Sequence, residues 1–400
     1  MTDHYTRSFH RARWSLLSLA LVFGLVLSAC GGAAPTPTAA PPTQPPPTPQ
    51  AAAPTQPPAP TQAPAAQAPQ VTSKEFNLYA WSEYVPQDLL DAFSQEYGVK
   101  VNYDTYSSNE ELLAKLQAGA SGYDVIIPSD YMVTIMANLG LLEPIDLNHI
   151  PNFANIDERF KNPPFDPGNK YSVPYQWGTV AIAVNAEKVQ QPITKFADLW
   201  DPMFRNNLVV LDDEREIIGM ALIVLGYSKN STDPAQLEAA KQKLLELVPN
   251  IKLYDSDSPK TALLSGEVIA GVIWNGEAAL AHQENPAIDY ILPEEGCGLW
   301  EDNLAIPKGA PHKDAAEAFI NFVLRPEMSI LITRDFPYSN PNKAALDLLA
   351  KEDPQAYQAY MGFAATNPPP EALEKCHRIV DVGEATTLWD KVWTEVKGGQ

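Results

Sequence analysis

From Glu75 onward, hydrophobic and polar positions fall into short runs that switch between strand spacing and helix spacing. Glu75–Trp81 has strand character, residues 86–97 carry helical spacing and stop at Gly98, and residues 99–103 return to strand. Ser108, with Glu111 three residues on, forms a capping box for a helix over 110–118, and 123–127 is a buried strand closed by Pro128. Residues 208–211 lead into a helix over 213–225 that ends at Gly226, and Asp233-Pro234 opens another through Leu247. Later, 268–274 reads as a strand and 313–324 as a helix. Alternation at this spacing predicts α/β layers with mostly parallel sheets. The stretch is longer than one such sheet needs, so two α/β lobes are expected.

Ahead of this body the pattern changes twice. Arg7, Arg11 and Arg13 precede an apolar run over 14–26 that ends in Leu27-Ser28-Ala29-Cys30. A charged start, a short hydrophobic run and small residues before a cut fit a secretory signal, and the run is short for a membrane span. The box resembles that of bacterial lipoproteins, in which the cysteine is acylated and becomes the mature N-terminus. An uncleaved anchor is the alternative. Residues 1–29 are therefore read as a lipoprotein signal peptide, and Cys30 as a lipidation site that ties the protein to the membrane. Either reading puts the body outside the cytoplasm, at the outer face of the cytoplasmic membrane or in the periplasm. Residues 31–70 hold fourteen prolines in forty positions and no charge, so they cannot bury a core. Residues 30–73 are read as the lipidated cysteine plus a Pro/Ala/Thr-rich stalk, which reaches up to ~3.1 Å per residue if it adopts polyproline II. A tolerated low-complexity insertion is the other reading.

Charge narrows the partner. With 28 Lys plus Arg against 49 Asp plus Glu, the formal net charge is −21, which argues against nucleic acid. The acid excess suits a cationic ligand, although acidic surfaces also serve solubility.

In open α/β sheets, ligands bind beyond the carboxyl ends of strands. Those positions here are rich in aromatics and acids: Trp81-Ser82-Glu83-Tyr84, Ser129-Asp130-Tyr131, Asp212-Asp213-Glu214-Arg215-Glu216, Trp274-Asn275, Trp300-Glu301-Asp302, and Tyr338. A linear polyamine needs flat apolar walls for its methylenes and carboxylates for its ammonium groups. An ammonium over a Trp or Tyr face gains about 0.5–2 kcal/mol, and burying it without a carboxylate is costly. Each position also has a purely structural reading: Trp as core, and Asp213 or Glu216 as partners of a helix dipole.

In order along the chain, Tyr79-Ala80-Trp81-Ser82-Glu83-Tyr84, Tyr123-Asp124-Val125-Ile126-Ile127-Pro128-Ser129, Pro174-Tyr175-Gln176-Trp177-Gly178, Asp212-Asp213-Glu214-Arg215-Glu216, Ile273-Trp274-Asn275-Gly276, Trp300-Glu301-Asp302-Asn303 and Asp381-Val382-Gly383 resemble spermidine/putrescine-binding proteins, which deliver polyamines to bacterial ABC importers. The resemblance implies a two-lobe type II periplasmic-binding-protein fold, with a ligand cleft between two discontinuous α/β domains. Carried over, Trp81, Tyr84, Tyr131, Trp274, Trp300 and Tyr338 match the aromatic box, and Asp302 matches the carboxylate for one amine. Asp213 and Glu216 match an acidic pair for another amine, and Ser82, Glu83, Ser129 and Ser256 match auxiliary polar contacts. Arg378-Ile379-Val380 stands where the family has a Gln before Asp-Val-Gly, which puts one amine contact and length selectivity in question. Asp130 and Glu301 add acids, and they are expected to face solvent rather than ligand. Crossings are expected at residues 175–179, 302–303 and 342–350, giving lobe 1 as 74–176 with 303–346 and lobe 2 as 177–302 with 347–400. The implied partners are a polyamine and permease subunits, with the protein a monomer.

Cys297 and Cys376 remain as an even pair in an oxidising location, either bridged or as two thiols. The six histidines show no metal-ligand spacing, and no phosphate loop, dinucleotide fingerprint or Gly-x-Ser-x-Gly turn occurs. No catalytic residue, metal or cofactor is expected. A different small cationic solute, or a ligand-presenting sensor, remains an alternative to polyamine transport, with a secreted hydrolase more remote.

Overall fold

The computed structural model describes residues 70–119 and 122–398. The signal sequence, Cys30 and nearly all of the stalk lie outside these residues. Where the head begins, the amides and hydroxyls of Thr72 and Ser73 all donate to the Asp314 carboxylate. Those donors hold the Asp314 carboxyl below the usual range against the opposing effect of burial.

Eleven strands join in one sheet among the described residues. They are β1 (Glu75–Trp81), β2 (Lys100–Tyr106), β3 (Val125–Ile126), β4 (Leu142–Glu143), β5 (Ser172–Asn185), β6 (Leu208–Val210), β7 (Ile251–Tyr254), β8 (Ala270–Trp274), β9 (Ile288–Ile291), β10 (Gly298–Pro307) and β11 (His377–Arg378). The order is β2-β1-β3-β10-β5-β8-β6-β7, with β4 and β11 on β10 and β9 on β5. Pairs β1/β2, β1/β3, β6/β7 and β6/β8 are parallel, as the strand–helix alternation predicts. The centre departs from the mostly parallel expectation, because β5 runs antiparallel to β10, β8 and β9, and β10 runs antiparallel to β3.

β5 and β10 thus join two parallel half-sheets. β10 changes register between Asp302 and Asn303: its first part pairs with β5 and β11, and its second part also pairs with β3 and β4. All fourteen residues of β5 are buried, including Ser172, Gln176 and Thr179, so the strand has no solvent face and no period-2 signature.

The helices over the first half are α1 (Gln87–Tyr97), α2 (Asn109–Gln117) and α3 (Asp130–Asn138). α1 ends at Gly98 with φ 64°, the left-handed conformation that glycine adopts without penalty. At α2 the Ser108 hydroxyl accepts the Glu111 amide, 3.1 Å, but the Glu111 carboxylate reaches back to the amide of Ser107, one residue short of a reciprocal box. Over the second half lie α4 (Glu214–Val224), α5 (Pro234–Leu247), α6 (Lys260–Leu264) and α7 (Asn275–Glu284). After β10 come α8 (Lys313–Val323), α9 (Pro326–Asp335), α10 (Lys343–Glu352), α11 (Pro354–Gly362), α12 (Pro370–Leu373) and α13 (Thr386–Lys397), the last packing on α4 and α5. Residues 342–350, expected to cross between lobes, fall on α10, capped by Asn342 and packed on α9 and α11. The chain meets α7 on both sides of α10, where the Tyr338 ring lies against Gly276 and where the Phe363 ring stacks on His282, centroids 4.3 Å apart.

Candidate functional site

A cleft lies where the two half-sheets meet, its empty space amounting to about 650 Å³ when the open solvent at its mouth is included. It is lined from strand ends, as the topology dictates: Trp81 closes β1, Ser129 and Tyr131 follow β3, Asp213 follows β6, Ser256 follows β7, and Trp274 closes β8. Trp300 and Asp302 project from β10, and Tyr338 comes from the turn after α9.

The rings form one chain. Trp81 meets Trp274 at 6.4 Å between centroids, Trp274 meets Trp300 at 6.2 Å, Trp300 meets Tyr338 at 5.5 Å, and Tyr338 meets Tyr84 at 5.3 Å, all edge to face. Two indoles are fixed by their N–H groups: Trp81 donates to the Ile127 carbonyl at 2.9 Å and Trp274 to the Ser256 carbonyl at 3.0 Å. Ring faces therefore remain available to a cation while ring positions are set by the backbone.

Asp302 is 5% exposed and sits at the register shift of β10. Its two oxygens accept the Tyr84 hydroxyl at 2.7 Å and the Ser129 hydroxyl at 2.6 Å. Ser129 precedes α3, but its hydroxyl goes to Asp302 rather than capping that helix. Burial pushes the Asp302 carboxyl up to about 7, against the lowering effect of those two hydroxyls. At neutral pH this carboxyl is therefore partly protonated.

Asp213 caps α4, accepting the Glu216 amide at 2.9 Å, and burial with Glu216 nearby raises its carboxyl to about 6. Glu216 also lines the cleft, but it is not a free partner for an incoming amine, because Lys229 Nζ donates to it at 2.6 Å with both side chains buried. Tyr131 donates to Glu110 at 2.9 Å. The Ser256 hydroxyl is buried and has no hydrogen-bond partner among the described residues.

Glu83 stands apart from the lining. It adopts φ 47° in the turn after β1 and pairs with Lys260 of α6, which also holds the buried Glu277. Beside it Ser82 donates to Asp257 at 3.0 Å, a second link from the β1 turn to the segment after β7. Asp130 and Glu301, expected to face solvent, are each 2% exposed and are both held by Arg378. Burial raises both carboxyls, Glu301 to about 8. The C-terminal segment explains the difference, because β11 pairs with β10 and brings the guanidinium over these acids. Ile379 lines the cleft as an apolar wall where the family's Gln was expected. Cys297 and Cys376 are joined in a disulfide, Cα atoms 4.3 Å apart, which fixes β11 at the start of β10.

Asn109, Asp257 and Leu299 also line the cleft and were not singled out from the sequence. Asn109 exchanges hydrogen bonds with Ser129, 3.0 and 3.1 Å, and its place at the start of a helix reads as ordinary capping. Asp257 follows β7, so recognising residues 251–254 as a strand would have led to it by the strand-end rule.

Residues 88–365 match the family model for bacterial extracellular solute-binding proteins. The spermidine/putrescine-binding periplasmic protein of Escherichia coli is 41% identical over 324 residues, which is 80% of this chain and 91% of that one. Among solved structures, the spermidine/putrescine ABC transporter substrate-binding protein of Streptococcus pneumoniae superposes with TM-score 0.68 at 36% identity, covering 82% of this chain and 99% of that one. The TpPotD lipoprotein of Treponema pallidum gives 0.70 at 32% identity, covering 80% and 99%. These neighbours share the two-lobe type II architecture that β5 and β10 build here, and the chain belongs to the bacterial extracellular solute-binding protein family.

Proposed function

We propose that this protein binds polyamines, spermidine or putrescine, outside the cytoplasm and delivers them to the permease of an ABC importer, acting as a binder rather than an enzyme. The observation that carries this reading is Asp302, buried beneath two hydroxyls at the end of a continuous aromatic chain. Burial of a carboxylate is offset best by a cation, and the rings favour a cation with an apolar body. The relatives known for spermidine and putrescine support the same ligand class.

On this reading Trp81, Tyr84, Tyr131, Trp274, Trp300 and Tyr338 enclose the methylenes, Asp302 and Asp213 receive ammonium groups, and Ser82, Ser129 and Ser256 add polar contacts. The two lobes are the half-sheets, crossed at β5, at β10 and near residues 363–366, and a ligand touching both stabilises closure. Cys30 anchors the head by a lipid, with the stalk as spacer; the relative from Treponema pallidum is itself a lipoprotein.

Calorimetric titration of the purified protein with putrescine, spermidine and spermine, beside a neutral diol, tests the reading. Saturable binding of an amine at about micromolar, near −8 kcal/mol, with no heat from the diol, is expected. A folded protein that ignores all three amines would overturn it.

A further inference from the structure

Three acids near the Ile379 end of the cleft are already held by two of the protein's own cations. Glu216 and Asp130 line the cleft, and Glu301 adjoins Asp302 along β10. Lys229 neutralises Glu216, and Arg378 spans Asp130 and Glu301. Lys229 is 1% exposed, a rare state for a lysine, and the backbone is shaped around it. A Cβ at Gly219 would lie 2.7 Å from Lys229 Cγ and 2.9 Å from Cε, so the missing side chain on α4 is the channel for the lysine stem. A Cβ at Gly298 would lie 2.4 Å from the bound Glu216 oxygen and 2.9 Å from Lys229 Nζ, so a second glycine makes room for the ion pair itself. The other cation is held equally firmly, since the Cys297–Cys376 bridge and the β10/β11 pairing pin the residue next to Arg378. Leu299 and Ile379, which also line the cleft, present hydrocarbon there.

We propose that Lys229 and Arg378 are resident counter-cations that close the Ile379 end of the cleft to a third ammonium group, so that the protein selects diamines over triamines. The inference rests on the polyamine reading and refines it. A terminal ammonium entering this end would meet Glu216 and Asp130, each already paired with a resident cation, and an apolar wall, and would lose its hydration without compensation. A diamine places no charge there.

The test is calorimetric titration of the purified protein with putrescine and spermidine, repeated on Arg378→Gln, on Lys229→Met, which keeps the stem over Gly219, and on Lys229→Met combined with Glu216→Gln. The unmodified protein should bind putrescine at least tenfold more tightly than spermidine. Each single variant exposes an uncompensated acid, so the spermidine-to-putrescine affinity ratio should rise at least tenfold. The double variant removes the freed acid and should lose that rise. Equal or tighter binding of spermidine by the unmodified protein would overturn the proposal, as would an unchanged ratio in a folded Arg378→Gln protein. Should Lys229→Met fail to fold, the ranking in the unmodified protein and the Arg378→Gln ratio still decide. Silence toward every amine would remove the polyamine reading and this proposal with it, whereas tight binding with the wrong ranking removes this proposal alone.

Discussion

Replacing Asp302 by Asn keeps the shape of the side chain and its place between Tyr84 and Ser129, while removing the charge. Truncating one partner of a buried, hydrogen-bonded charge pair costs about 2–5 kcal/mol, so the dissociation constant for putrescine should rise by roughly 30-fold to several thousand-fold. A second signature is independent of that size. In the unliganded protein the Asp302 carboxyl titrates near 7, so a cation that ionises it below that pH must displace a proton. Affinity of the unmodified protein should therefore fall about tenfold per pH unit between 7 and about 6 and level off above 7, whereas Asp302→Asn should be nearly flat down to about 6, where Asp213 begins to take up a proton. Stability moves the other way. A carboxyl whose folded pKa is raised stabilises the fold at low pH and loses that contribution as pH rises through about 7, so the unliganded variant should melt no lower than the parent at pH 8. The assays are calorimetry from pH 5.5 to 8.5 and thermal melts of the same samples. Parent-like affinity in a folded Asp302→Asn protein, or a parent affinity independent of pH, would refute the reasoning.

Tyr84→Phe deletes the hydroxyl that holds the Asp302 carboxyl down, and a hydrogen bond to a charged group is worth ~1.5–3 kcal/mol; the pH below which affinity falls should rise by roughly one to two units, read from the same titrations. Serines at Cys297 and Cys376 remove a bridge spanning 79 residues and should cost about 2–5 kcal/mol in denaturant melts, a loss that reductant reproduces in the parent protein and does not deepen in the variant. Lys260→Met leaves Glu277 without its cation; that carboxyl already sits near 7 through burial, and without Lys260 it rises further. The variant's loss of melting temperature should therefore be larger at pH 8.5 than at pH 6, and an equal loss at both would contradict it.

The readable parts of the molecule share a physical cause. Trp81, Trp274 and Asp213 stand at the ends of strands whose first and last residues are marked by local composition, and chain topology alone then brings those ends to one cleft. β5 was missed because burial on every side erases the alternation that marks a strand. Asp130, Glu216 and Glu301 were recognised as acids of the region, but their partners were not legible. Lys229 reaches Glu216 from a loop 13 residues away and Arg378 reaches Asp130 from 248 residues away, and no periodicity encodes such pairings. The glycines at 219 and 298 are equally silent in sequence, since their reason is a neighbour's side chain rather than their own backbone.

The register shift at Asp302 has a mechanical consequence. It falls where β10, paired with β5 on both sides of the shift, exchanges β11 for β3 and β4 as its other neighbours, so on the proposed two-lobe reading the acid lies on the segment about which the half-sheets would turn. A point on an axle changes orientation while hardly changing place. On the proposed function, an ammonium held there would keep its salt link throughout the swing, and the aromatic panels on either side would close around a charge already neutralised. Capture and enclosure then need not compete, because the first contact made is also the one that closure disturbs least.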